Sequence, residues 1–552
     1  MRRPLPLALV ALLGLTLLPG LAAVHALDER EARDLVTAFE STDHRDWLSP
    51  VYGHEPFFEK PLPGYAPEVV ARRVVRWFLP AADAATDDVA ASRVVRALLA
   101  AGLAFAVAAI GTSLFGARSG WLAACALASM LGLPLAARAD GSQVYATLLT
   151  WLGLGRLLAL LTGRTRARTA ALVGGWLALG AAALTGGLLP ALWPLVGFAL
   201  YFALARHHAG WKVLDPAAGL LIVAGVCLPW YGIMTAIHGV PFLAHVPWFP
   251  YSSGVRGAWY TGPLLALSFA VVTSFPWTPL FAAALADAAL RLRRSAALPA
   301  PALPLDTEHA EHLLLAMALA GALPVAFYPG PPLTAALPAL PAMALLIGRF
   351  IDRVLDGAGE TAALTQATRF LAVIGTAFAL AGVVLSARIP AAAPSLRLLS
   401  ALVFLSAWAP MLADLRASRR LAVALFALPA ALGAPVLHWR VLPALEPWLN
   451  ARAVAQAMER VSPPNAPLVV FEPPPPSLRQ SLARNFIARV RVQPGDPDVT
   501  ARDGFVYAAY RPANERAAHA AMEPLLAPPE VLASTPVLVL VRVRVRAAAA
   551  AL

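Results

Sequence analysis

The sequence predicts a polytopic α-helical membrane protein of about thirteen transmembrane helices with a small C-terminal extracytoplasmic α/β domain. Three observations carry this prediction. The 552 residues are 59% hydrophobic and only 14% charged, with a mean hydropathy of +0.66, whereas a soluble chain carries about 25% charged residues. The apolar residues gather into runs long enough to cross a bilayer. Arginines cluster in alternate short loops between those runs. A soluble multidomain enzyme and an intrinsically disordered chain are both excluded, because disorder needs low hydrophobicity.

The first apolar run covers Leu5–Ala26 behind Arg2 and Arg3. Its Val24-His25-Ala26 ending resembles a signal-peptide cleavage site, but the run exceeds an h-region of about 7–15 residues. It is therefore read as a retained helix. Further spans are expected at Val94–Leu114, Gly120–Ala137, Ser142–Leu161, Thr169–Thr185, Leu188–Ala205 and Ala217–Ala236. The series continues with Tyr260–Leu285, Leu313–Phe327, Leu333–Ile351, Phe370–Ala387, Leu398–Leu412 and Leu421–Leu442.

Positive charge in short loops sets orientation. The arginines around Arg164–Arg168, Arg206, Arg291–Arg294 and Arg416–Arg420 fall on one side, whereas the opposite short loops hold isolated arginines such as Arg138 and Arg256. The N-terminus is accordingly expected in the cytoplasm of a bacterial-type inner membrane, with the C-terminus outside. Residues 1–445 form the expected membrane domain, with an outer loop at 27–92, and residues 446–552 form the outer domain. In that domain Pro467–Phe471, Phe486–Val492, Phe505–Tyr510 and Val537–Val545 read as strands, the last by its Val-Arg alternation. Ala451–Arg460, Ser477–Arg484 and Ala513–Leu525 read as helices.

The basic balance of +12 does not indicate nucleic-acid binding, because its arginines lie in loops between apolar runs. Cys125 and Cys227 fall inside apolar segments and read as small core residues. Intramembrane ionisable groups mark transport pathways, and the spans are nearly free of them. Asp215, Asp287, Asp352 and Asp414 lie at span ends, where a solvated terminus accounts for them.

The outer loop is different. It opens with Asp28-Glu29 and the charged stretch to Asp34, then continues amphipathically through Leu35, Val36 and Phe39, which predicts a short helix along the membrane surface. Next come Asp46-Trp47-Leu48-Ser49-Pro50 and Gly53-His54-Glu55-Pro56-Phe57-Phe58-Glu59-Lys60-Pro61-Leu62. A carboxylate at the membrane face suits a general base, and a lysine is a compact point charge for a phosphate. Lys60 and Lys212 are the only lysines in the chain. On the same side, Asp140 in Arg138-Ala139-Asp140-Gly141 reads equally as a helix N-cap and as a functional carboxylate. For single charges in this loop, solvated interfacial positions remain an equal reading, and for Trp47, Phe57, Phe58, Trp248 and Trp259 membrane anchoring is favoured over a role in a cavity wall.

In order and approximate spacing, Asp28-Glu29, Asp46–Pro50 and Gly53–Leu62 resemble the opening motifs of family 39 of the C-fold (GT-C) glycosyltransferases, the protein mannosyltransferase and aminoarabinose transferase group. Ser92-Arg93, Arg138–Asp140, Pro229-Trp230-Tyr231, His238–Phe242, Phe275-Pro276-Trp277 and Leu337–Ala342 resemble later stretches of the same group. The chain departs from the pattern at Glu31-Ala32, at Leu62-Pro63, and at Ala335, where the family's tyrosine is replaced while Tyr328 lies nearby.

The resemblance implies inverting transfer of a sugar from a polyprenyl-phosphate donor to a lipid, glycan or protein acceptor on the outer face. Asp28 and Asp140 are then the catalytic candidates, Asp28 as general base. Glu29, His54, Glu59, Lys60, His238 and Tyr328 are the substrate-binding candidates, Lys60 at the phosphate. No cofactor other than this lipid-linked donor substrate is called for, and no metal is indicated. A lipid-linked-sugar transporter and a non-catalytic envelope scaffold of the same fold are the alternatives.

Overall fold

The computed structural model describes residues 4–24, 26–27, 29–43, 48–53, 55–78, 84–206, 208–245, 261–295, 303–327, 333–359, 361–462, 466, 468–470, 475–482, 490–492, 505–522 and 529–544. The membrane part begins with α1 (Pro4–Leu17), followed by the loop helices α2 (Glu29–Asp43) and α3 (Ala66–Phe78). A two-residue hairpin, β1 (Val51–Tyr52) with β2 (Glu55–Pro56), lies between them. Then come α4 (Ala84–Phe115), α5 (Ala117–Ser129), α6 (Gly132–Ala139), α7 (Gly141–Leu161), α8 (Arg168–Gly186), α9 (Leu189–Leu204), α10 (Ala209–Leu214) and α11 (Pro216–His245). The bundle ends with α12 (Thr261–Thr273), α13 (Thr278–Ser295), α14 (Thr307–Phe327), α15 (Leu340–Leu355), α16 (Thr361–Arg388), α17 (Ala393–Leu415), α18 (Arg419–Leu425), α19 (Leu428–Val436) and α20 (Leu442–Leu449).

This is an integral membrane protein. Among the described residues, eight helices are long and apolar enough to cross a bilayer, and nine if the bent pair α5–α6 counts as one span. Each expected apolar run carries helical structure, but thirteen uninterrupted spans are not seen. The first run is helical only to Leu17. The run Gly120–Ala137 bends by 56° between α5 and α6. The run Tyr260–Leu285 is two helices, because a turn at Ser274–Trp277 separates α12 from α13. These turn residues are themselves largely apolar, so hydropathy does not register the break. The last run is divided among α18, α19, a π-helical segment (Leu437–Val441) and α20.

The core is packed by Trp151, Trp176, Trp193, Phe198 and Phe202. Small residues let helices approach, as at Gly120 of α5, where an added Cβ would lie 2.4 Å from the Ala108 carbonyl oxygen of α4.

The C-terminal domain is a five-stranded mixed sheet in the order β4 (Val490–Val492), β3 (Leu468–Val470), β5 (Phe505–Tyr510), β7 (Val539–Arg544), β6 (Glu530–Ser534). β3 is parallel to both β4 and β5, and β7 is antiparallel to β5 and β6. Side-chain alternation places Leu468, Val470, Tyr507, Ala509 and Leu540 against α21 (Arg452–Val461) and α22 (Pro476–Leu482). Val469, Val506, Val541 and Val543 face Ala518 of α23 (Glu515–Met522). The strand expected at Phe505–Tyr510 is present with those ends, the other expected strands and helices are present with shifted ends, and β6 is an addition.

α2 corrects the expectation of a helix along the membrane surface. Ala32, Leu35, Val36 and Ala38 are buried, and the helix packs between α3 and α22. Protein, rather than lipid headgroups, covers its apolar side.

Candidate active site

The site is built from the chain that leaves α1. Carbonyls beyond a helix end have no partner within the helix. Here Arg138, in the last turn of α6, donates to the Leu17 and Gly20 carbonyls at 3.2 Å each and to that of Pro19. Arg93 of α4 donates to the Leu21 and Val24 carbonyls at 3.0 and 2.6 Å. The segment approaching residue 28 is therefore laid over two guanidinium groups.

Downstream, Glu31 of α2 accepts from Arg93 Nε and Nη2 at 3.0 and 2.8 Å and from Arg96 Nη1 at 2.8 Å. It also accepts the Leu27 N–H at 2.6 Å. Arg96 turns its other edge to Glu68 of α3, with Nε and Nη2 at 2.8 and 2.6 Å from Oε1, and donates to the Arg138 carbonyl at 2.7 Å. The side chains of Glu31 and Arg96 are fully excluded from solvent. Burial alone raises the Glu31 pKa, but Arg93 and Arg96 outweigh it and hold the carboxyl below the ordinary glutamate range.

One turn further along α2, Asp34 pairs with Lys60, Oδ2 to Nζ 2.7 Å. Lys60 also donates to the Ser142 hydroxyl at 3.0 Å, and Ser142 donates to Asp140 Oδ1 at 2.8 Å. Asp140 accepts the Gln143 N–H at 2.9 Å, so it is the N-cap of α7 as well as a member of this chain. The Tyr65 ring lies 4.7 Å from Lys60 Nζ. Burial works against the lysine's charge, but Asp34, Asp140 and Glu59 outweigh it, and its pKa is raised. Glu59 pairs with Arg33 at 2.7 Å. Its own pKa is pushed up by burial, and Asp34 adds to that rise against the pull of Arg33 and Lys60.

A second group lies where the loop meets α11. Ser49 Oγ is 2.8 Å from His238 Nε2, the Trp230 indole donates to the Leu48 carbonyl at 3.0 Å, and Phe58 packs edge-on against His238 and Phe242. The loop motifs around 48–50 and 57–60 and the stretch 238–242, far apart in sequence, thus meet. Glu29 points elsewhere, with its carboxylate taking both the N–H and the hydroxyl of Ser477 in the C-terminal domain. Asp28, His54 and Tyr328 lie outside the described residues, as do Asp46 and Trp47 of the loop motif and Trp248 and Trp259.

Sequence reasoning did not single out Asp34, Glu68, Arg96 or Ser142. A signal for Asp34 was present. Glu31, Asp34, Thr37 and Ser41 recur at helical spacing and form a polar stripe that the fold buries. Arg93 and Arg96, one turn apart at the start of a span, face that stripe. Among the described residues no group of three His, Cys, Asp or Glu side chains is placed to hold a metal ion.

The arrangement holds a charged amine among carboxylates beside a membrane-embedded bundle. No family model and no curated protein sequence matches the chain. Among solved structures, the chain is similar to ArnT from Cupriavidus metallidurans in the apo state, with a TM-score of 0.73 at 18% identity over 97% of this chain and 96% of that one. It is similar also to the same enzyme bound to undecaprenyl phosphate, with a TM-score of 0.70 at 19% identity and the same coverage. The Archaeoglobus fulgidus oligosaccharyltransferase aligns at a TM-score of 0.48 and 13% identity, over 88% of this chain and 63% of that one. The expected fold class is thereby borne out over nearly the whole chain: the protein has the fold of ArnT, a helical membrane bundle followed by a small α/β domain.

Proposed function

We propose that this protein is an integral-membrane glycosyltransferase that moves a sugar from a polyprenyl-phosphate donor to an acceptor at the extracytoplasmic face. The observation that supports the proposal is the buried Lys60–Asp34–Ser142–Asp140 cluster, which joins α2, the 57–62 stretch and α7 in a fold shared with an enzyme solved with undecaprenyl phosphate. The membrane domain, 1–445, supplies the reaction site through its 27–92 loop, and 446–552 covers that loop from outside. The positive-inside bias supports a cytoplasmic N-terminus and an extracytoplasmic C-terminal domain in a bacterial-type inner membrane.

The chemistry is an in-line displacement. Asp28 takes the proton from the acceptor hydroxyl, the acceptor oxygen bonds to the anomeric carbon, and the bond from that carbon to the phosphate oxygen breaks with inversion. Polyprenyl phosphate leaves with the bonding electrons. Lys60 offsets the charge that develops on the phosphate. An ammonium group has three donors, and Asp34 and Ser142 take two of those on Lys60, which leaves one for a phosphate oxygen. The surrounding carboxylates keep the amine protonated, so its charge is in place before the donor arrives. Asp140 orients the Ser142 hydroxyl in this scheme. Glu59 and His238 border the donor site from the loop and α11, with His54 and Tyr328 assigned to the same site by the family resemblance.

The test is binding of undecaprenyl phosphate to the purified full chain, followed by turnover of undecaprenyl-phosphate mannose and undecaprenyl-phosphate aminoarabinose as probe donors. Lys60→Met paired with Asp34→Asn removes the amine without leaving a lone buried carboxylate, and should weaken undecaprenyl phosphate binding at least tenfold. Asp28→Asn should bind normally and turn over neither donor. Unchanged binding in the double variant removes Lys60 from the phosphate site, and full activity in Asp28→Asn removes the base assignment.

A further inference from the structure

The C-terminal domain reaches the membrane domain at one place that matters chemically, the two residues that flank position 28. Upstream, the Asn450 side-chain amide donates to the Ala26 carbonyl at 2.7 Å. Downstream, Glu29 accepts the Ser477 N–H at 2.8 Å and the Ser477 hydroxyl at 2.5 Å. The two grips are one unit. The Ser477 hydroxyl accepts the N–H of Ala451, next to Asn450, at 2.9 Å, and Asn450 Oδ1 accepts the Arg452 N–H at 3.0 Å. Ala26, Asn450, Ala451 and Ser477 are buried, which shields the Asn450 and Ala451 bonds from water, whereas Glu29 is half-buried. Buried, fully partnered networks of this kind fix a conformation.

A second contact steadies the other end of α2. Arg479, half a turn beyond Ser477 on α22, pairs with Glu40 and lies over the Tyr52 ring with its carbon 5.1 Å from the centroid. Glu40 in turn accepts the Gly53 N–H at 2.6 Å. Gly53 has φ +74, and an added Cβ there would stand 3.1 Å from the Arg479 guanidinium, so both backbone and space favour glycine. α22 thereby holds the first and last turns of α2 at once.

We propose that Asn450 and Ser477 are positioning residues that set the place of Asp28 from the C-terminal domain. The inference rests on the glycosyltransferase reading above, with Asp28 as its base. Reaction geometry tolerates little drift, since a misplacement of about 1 Å can cost 10²-fold in rate. From the bundle side, Arg138 and Arg93 hold the carbonyls of Leu17 to Val24 just upstream, and Arg93 and Arg96 hold Glu31 just downstream, so Ala26 and Glu29 lie between contacts from both parts of the protein. In this role the domain supplies no group to the substrate.

Hydrogen exchange of the full chain in detergent, read on peptides covering residues 24–35, tests the grip without any substrate. Asn450→Ala and Ser477→Ala should each speed exchange there at least tenfold while peptides of α7 and α16 stay unchanged. With whichever probe donor the wild type turns over, both variants should lose roughly 10- to 100-fold in kcat with the donor KM within about twofold. Ser477→Thr, which keeps a hydroxyl, should recover most of the lost rate. Glu29→Gln, which shortens nothing but weakens the acceptor, provides an independent route should Ser477→Ala fail to fold.

Unchanged exchange at 24–35 in folded variants overturns the grip. Faster exchange with unchanged kcat overturns its role in positioning, as does a loss confined to KM. Failure of the wild type to turn over either donor counts against the enzyme reading and against positioning, and the exchange data then still decide whether the domain holds the segment.

Discussion

The two ends of the helical bundle each carry a network of arginines and carboxylates, built to opposite designs. α4 links them, with Arg93 and Arg96 near its start and Phe115 at its end, roughly 30 Å away at 1.5 Å per residue. At the loop end, Glu31 and Glu68 meet Arg93 and Arg96 with side chains no more than 2% exposed. At the far end, Glu311 of α14 meets three arginines, Arg291 at 2.5 Å, Arg349 at 3.0 Å and Arg353 at 3.5 Å, and these are 14–23% exposed. Asp287 bridges Arg291 and Arg353 as well, and Arg349 lies over the Phe115 ring at 5.5 Å. The loop end is dry, and Glu68 has a single described arginine there. The far end is wetter and redundant. The dry network fixes the start of α2 against α3 and α4, whereas the wetter one ties helix ends together.

The comparison breaks most sharply at Arg96. Its removal leaves Glu68 without its described ion-pair partner and takes one of two arginines from Glu31. Stripping one partner from a buried pair costs about 3–5 kcal/mol, because the remaining charge has no solvent. Arg96→Ala should destabilise the chain by that amount in reversible denaturation in detergent. Arg96→Met combined with Glu31→Gln and Glu68→Gln should recover most of the loss, since no lone charge is left. A cost below 1 kcal/mol for the single variant would mean that water reaches this network.

The next effect is a pH dependence. The Glu31 pKa is held below its ordinary value in the folded chain, so Glu31 contributes stability above the unfolded value. That contribution fades as pH falls through the depressed folded value. Wild type should therefore lose stability as pH falls below the ordinary glutamate range, whereas Glu31→Gln should be less stable at neutral pH and flatter on acidification. Parallel acid curves for the two proteins would show that Glu31 is not held down by Arg93 and Arg96.

Much of this contrast was legible in the sequence as position but not as partnership. Apolar runs located the helices because the bilayer imposes length, and the Val-Arg alternation located β7 because a strand alternates faces. Breaks within apolar sequence, at Met130–Leu131 and Ser274–Trp277, escaped notice because their residues carry no change in hydropathy. Around the cluster, the loop motifs had singled out Lys60 and Glu59 and the short loop before α7 Asp140, and the capping role read for Asp140 is seen on Gln143. Asp34 escaped because a charge in an outer loop reads as solvated until a fold covers it, and Arg96 because a charge in the first turn of an apolar run reads as a solvated helix end. Glu31, a departure from the family pattern, acquires its meaning only when α4 brings Arg93 and Arg96 against it. The Ser477 grip joins residues 448 positions apart, and no local pattern encodes that pairing.

The smallest effect is expected at Arg349, the far end's counterpart of Arg96. Glu311 is as buried as the loop-end carboxylates, with its side chain 3% exposed, and burial raises the cost of any lone charge there. Arg349→Ala, however, leaves Arg291 and Arg353 on the same carboxylate, and the partly exposed end admits water. The loss should stay near 1 kcal/mol, in the range of partly solvated pairs, and should shrink further in high salt because screening acts on exposed charges. Exchange at residues 24–35 should not respond, since no described contact links Arg349 to the loop. If Arg349→Ala proved as costly as Arg96→Ala, redundancy would not be what separates the two ends, and the burial of a single carboxylate would decide the energetics at both.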